Sequence, residues 1–80
     1  MTENENARSR LEVWVDRADH AELRYARTYV RGEGRVWTVT LVLDEPGPPT
    51  KVVFEASAVE LMNASAAIIA GLAEYGIEVP

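Results

Sequence analysis

Apolar and polar residues first alternate near the start of the chain. Leu11, Val13 and Val15 interleave with Glu12, Trp14 and Asp16, the period-two pattern of a half-buried strand. Asp16-Arg17-Ala18-Asp19-His20 is turn-like, because aspartates readily bond their own backbone. A second strand is expected from about residue 21 to 31. Arg31-Gly32-Glu33-Gly34-Arg35 follows, with two glycines able to take the positive φ values of a tight hairpin. The third strand is expected from about 36 to 43. Trp37, Val39, Leu41 and Leu43 point one way and Val36, Thr38, Thr40 and Val42 the other. Residues 44–50 carry three prolines and read as a loop. Lys51-Val52-Val53-Phe54-Glu55 reads as a short fourth strand.

The pattern then changes period. From Ser57 to Tyr75 only Glu60, Asn63, Ser65 and Glu74 interrupt an apolar run after the opening serine. Ser57 followed by Glu60 fits a capping box, and Gly76 fits a left-handed helix terminator. Two stripes run along this helix. Val59, Met62, Ala66, Ile69 and Ala73 form one; Leu61, Ile68, Leu72 and Tyr75 form the other. Short connections favour antiparallel neighbours. The expected fold is therefore α+β: a four-stranded antiparallel β-meander with one C-terminal α-helix packed on one sheet face. Leu11, Val13, Val15, Trp37, Val39, Leu41, Val52 and Phe54 are expected to line that face. Residues 1–9 are polar and aperiodic and are expected to be a disordered or frayed tail, leaving residues 10–80 as a single domain.

One sheet face accepts one stripe, so the other is expected to be covered by a second copy or a protein partner. Leu61, Ile68, Gly71, Leu72 and Tyr75 are the candidate dimer surface. The alternative is a sheet that curls round the helix and covers both stripes within a monomer. Gly71 costs about 1 kcal/mol against alanine inside a helix, so a neighbouring element is expected to lie against it.

Composition narrows the chemistry. The 80 residues include no cysteine and one histidine. Thiol chemistry, thiolate metal sites and disulfides are excluded, and a Ser/His/Asp or Cys/His centre has little to build on. No stretch approaches the roughly 20 apolar residues of a membrane span. The start of the chain is polar and unlike a signal peptide. A cytoplasmic protein without cofactors, metals or membrane contact is expected. Asp16, Asp19, His20 and Glu22 cluster in one turn, but their spacing matches no ligand set, and solvation is the simpler reading.

The net charge of −5 is unevenly spread. Seven arginines balance seven acids in residues 1–35, and the whole deficit lies in residues 36–80. The neutral half can still present a local basic face. Tyr25, Arg27, Tyr29 and Arg31 share one side of the second strand by the period-two rule. If Trp14, Thr38 and Thr40 join them, the open sheet face carries rings and guanidinium groups, as single-stranded nucleic-acid binding requires. The same residue types stabilise sheets without any ligand, and they are also common in protein interfaces. Equally, Ala26, Thr28 and Val30 can form the exterior, which sends Tyr25 and Tyr29 inward and leaves Arg27 needing a partner there. The expected function is non-catalytic: a small accessory or regulatory protein that binds another protein, homodimeric through its apolar helix. Single-stranded nucleic-acid binding is the alternative.

Overall fold

A helix, α1 (Glu3–Arg17), precedes three strands, β1 (Ala21–Val30), β2 (Gly34–Glu45) and β3 (Thr50–Ala58), and a second helix, α2 (Leu61–Tyr75), follows them. The computed structural model describes residues 3–45 and 50–80. The strands form one antiparallel sheet in the order β1-β2-β3. The fold is α+β, with three strands and two helices rather than four strands and one. The expected proline loop falls largely on residues 46–49, outside the described residues.

The first expected strand is the main correction. Its alternation covers only five residues, whereas Ala7, Leu11, Trp14 and Val15 recur at helical spacing. Helical winding brings Ala7 and Leu11 to 1% and 0% exposure and leaves Val13 at 50%, on the outer side. Arg8 and Glu12, one turn apart, form an exposed ion pair at 3.4 Å, a modest contribution in such settings. The polar segment expected to be a frayed tail thus supplies the first turns of α1 from Glu3 onward. The chain leaves α1 through Asp19, which takes φ of 54°. Aspartate tolerates that left-handed geometry better than most residues.

Both helices cover the same sheet face. Leu11 from α1, Val39, Leu41 and Leu43 from β2, and Ala64, Ile68 and Leu72 from α2 form the buried centre, with Val79 beyond α2. Leu23, Tyr25, Val52, Phe54 and Ala56 pack round it from the outer strands. Of the expected sheet-lining residues, Val39 and Leu41 are buried and Val52 and Phe54 partly so, whereas Trp37 lies outside this cluster.

The ends of α2 differ. Ser57 does not cap the helix, because β3 continues through Ala58 and pairs Ser57 with Thr38. The two hydroxyls lie 2.7 Å apart, and Glu60 occupies the cap position without a side-chain bond. Gly76 ends the helix at φ of 109°. The Gly76 and Ile77 amides donate to the Ala73 and Leu72 carbonyls at 3.1 and 2.8 Å, which completes a Schellman motif. The following segment is fastened to α1, where Arg10 donates to the Val79 and Pro80 carbonyls at 2.9 and 3.1 Å.

Candidate functional surfaces

The apolar helix α2 uses its stripes in an order the sequence did not disclose. Ile68 and Leu72, placed on the candidate dimer surface, are 2% and 0% exposed and belong to the intramolecular core. Leu61 is half-buried against the same core, while Tyr75 stays 48% exposed. Gly71 faces β3: a methyl group there would stand 3.3 Å from Cδ1 of Phe54. The sheet and α1 together cover this flank. The flank left outward is the other stripe. Val59, before the helix, is 64% exposed and Met62 37%, while Ala70 and Ala73 are exposed and Ala66 and Ile69 half-buried. From Leu61 to Ala73 the helix holds no charged residue, so its solvent side is uncharged over more than three turns.

Strand β1 settles the face question that its alternation left open. Tyr25, Arg27 and Tyr29 lie opposite Val39, Trp37 and Arg35, and directly paired residues share a face. Since Val39 is in the core, this is the helix-covered side. Thr38 and Thr40 lie on the other side, and Trp14 lies on α1. The expected open face is therefore not assembled as a unit. Ala26, Thr28 and Val30 lie on the uncovered side, as the second reading of the strand has it, but Tyr29, which that reading sends inward, is exposed beyond the helices, and so is Arg27.

Along this face the environment changes from core to solvent. Tyr25 packs against the core, and the guanidinium of Arg8 sits 5.3 Å from its ring centre. Its hydroxyl is buried, with the Arg8 and Glu12 side chains as its polar neighbours. Burial pushes the phenol above its ordinary pKa of 10.0; the Glu12 carboxylate adds to the rise and Arg8 opposes it. Two residues on, Arg27 is exposed, and its guanidinium lies 5.3 Å from the Trp37 ring centre. At the hairpin end Tyr29 is 71% exposed, and Arg31 and Arg35 are exposed beside it. Among the described residues, none of Arg27, Arg31 and Arg35 forms an ion pair.

Trp37 and Arg35 are the members of this surface that strand alternation alone missed. Counting back from the turn finds them, because Val30 pairs with Gly34 and every later pair follows. Gly32 and Gly34, at φ of 89° and 83°, provide the tight reversal that sets this register.

Other surfaces are concave. An open groove of about 470 Å³ runs beside α1, lined by Arg10, Val13, Trp14, Arg17 and Pro80 among others. The outward sheet face holds a shallow one near Thr28, Val36, Thr38 and Ser57. The described residues include no group of three or more His, Cys, Asp or Glu side chains placed to hold a metal ion. None of the helices described is long and apolar enough to cross a membrane. Comparison with protein families, curated proteins and solved structures finds no match for this chain.

Proposed function

We propose that this chain is a small non-catalytic accessory or regulatory protein of the cytoplasm that works by binding protein, and that it pairs with a second copy through α2. The observation that carries this reading is the uncharged outer flank of α2, from Met62 to Ala73. A solvent-facing helix normally sets charged residues opposite its buried stripe. Here Met62 and Ile69 flank small alanines at 66, 70 and 73, which permit close approach of another helix. Two-fold pairing needs only one such surface, and each copy then covers the other. The dimer surface is thus the flank opposite to the one containing Ile68 and Leu72.

Sedimentation equilibrium from 10 to 200 μM, a range chosen on the order of common weak-dimer constants, tests this reading. The expected result is a dimer that Met62→Glu with Ala73→Glu converts to a folded monomer. A wild-type protein that stays monomeric across the range overturns the homodimer.

A further inference from the structure

We propose that the far end of the β1–β2 hairpin is a binding site for single-stranded nucleic acid, formed by Arg27, Tyr29, Arg31, Arg35 and Trp37. The proposal does not depend on pairing through α2.

Position is the first argument. Trp37 is not packed against the core cluster, although it lies on the face that both helices cover elsewhere. The guanidinium of Arg27 lies 5.3 Å from its ring centre. Trp37 is partly buried, and the part of its ring left uncovered lies at the solvent end of this face. Beside it Tyr29 exposes 71% of its surface, and Arg35 lies directly across from Tyr29.

Charge is the second. The protein carries −5 overall, yet three arginines that form no ion pair among the described residues gather at this end. Two carboxylates neighbour it: Glu33 within the turn, and Glu60, two residues past Ala58, which pairs with Trp37. Of the other acids of the sheet, Glu55 pairs with Thr40, three residues along β2 from Trp37 and so roughly 10 Å from the inner end of the site; Asp44 is roughly 23 Å from Trp37 and Glu22 roughly 16 Å from Arg27. At the tip itself Arg31 and Arg35 lie farther from these acids than the screening length of about 10 Å at 0.1 M salt, so a polyanion arriving there meets two arginines against the single carboxylate of Glu33.

The pairing of groups is the third. A polyanion of carboxylates needs the guanidinium groups alone. Single-stranded nucleic acid also uses open ring faces, on which bases stack without regard to sequence. Stacking on Trp37 holds the Arg27 fork in its plane, ready to donate to a phosphate. Stacking on ring faces and phosphate contacts do not read base edges, so the binding is sequence-tolerant.

Fluorescence anisotropy of labelled 15-nucleotide dT and rU strands, titrated with the full chain at low and moderate salt, tests the site. The expected result is salt-sensitive binding with a log–log slope of about −2, for three phosphate contacts at about 0.7 each. Arg31→Ala with Arg35→Ala is expected to weaken binding at least tenfold. Arg17→Ala with Arg24→Ala removes the same charge elsewhere and is expected to leave binding largely unchanged. In a Trp14→Phe background the remaining indole is Trp37, and its emission is expected to be quenched on binding. Tyr29→Ala, at an exposed position, separates stacking from charge and is expected to weaken binding about tenfold. No binding at low salt overturns the proposal. So does binding that both double variants weaken equally. Binding of polyglutamate as tight as that of dT, with Tyr29→Ala silent, also overturns it and identifies the hairpin as an acidic-peptide site.

Discussion

Gly71 on α2 and Phe54 on β3 touch so closely that a single added methyl group would stand 3.3 Å from the ring. The glycine lets the helix settle onto the strand, and the Phe54 ring in turn meets Tyr75 edge-on at 5.6 Å. Two effects oppose each other at this position. Alanine would favour the helix by about 1 kcal/mol, while its methyl group asks the ring to shift by a few tenths of an ångström. Gly71→Ala is expected to be close to neutral, within about 1 kcal/mol in chemical denaturation. Gly71→Leu cannot be absorbed this way and is expected to destabilise by about 1–3 kcal/mol. Equal midpoints for Gly71→Leu and wild type would show that the helix does not lie against β3.

The two flanks of α2 lead to opposite outcomes for the same chemical change. Ile68→Glu places a carboxylate in the intramolecular core, where an unpaired charge is costly, and is expected to abolish cooperative unfolding. Met62→Glu alters a partly exposed site and is expected to retain helical circular dichroism while weakening self-association. A folded Ile68→Glu protein would contradict the burial of that side chain.

Tyr25 gives the stability a distinct alkaline limb. Its folded pKa lies above the unfolded value of 10.0, chiefly through burial. A raised folded pKa means that the contribution is fully present below pH 10 and is lost as pH rises through the folded value. Thermal midpoints of wild type are expected to fall above pH 10 more steeply than those of Tyr25→Phe. The difference between their ultraviolet titrations should place Tyr25 above 10.

Helix α1 depends on a small number of anchors. Leu11 is fully buried, and Leu11→Ala is expected to cost about 2–5 kcal/mol, much of the margin of so small a domain. Arg10→Ala removes both bonds to the Val79 and Pro80 carbonyls. The expected result is faster amide exchange at residues 77–79 with a smaller loss of global stability. Unchanged exchange there would show that Arg10 does not hold this segment.

The sheet was largely legible because strand patterning and turn chemistry agreed. Gly32 and Gly34 marked the hairpin, β-branched residues filled β2, and Gly76 ended α2 at the expected place. Helix α1 was missed because Leu11, Val13 and Val15 satisfy a period of two, while the helical stripe needs Ala7 and Trp14 to be seen. That one error carried over to α2. Without α1 in the layer, nothing ranked the two apolar stripes, and the flank now buried by α1 and the sheet was taken as the exposed one. The candidate binding residues on β1 were legible as a set, but their face depended on register. Counting from the turn pairs Arg27 with Trp37, a relationship that alternation within β1 cannot supply.

The three-stranded sheet has a further consequence, which concerns how the chain avoids its own kind. Its outer strands each leave one side unpaired among the described residues, and such rims template fibrous growth when they are apolar and flat. Here Glu22, Arg24 and Arg27 punctuate β1, and Lys51 and Glu55 bracket the Val52-Val53-Phe54 segment of β3. Charges placed this way act as gatekeepers. They leave the chain free to associate through its helix while discouraging the runaway strand-to-strand stacking that its most apolar hexapeptides would otherwise invite.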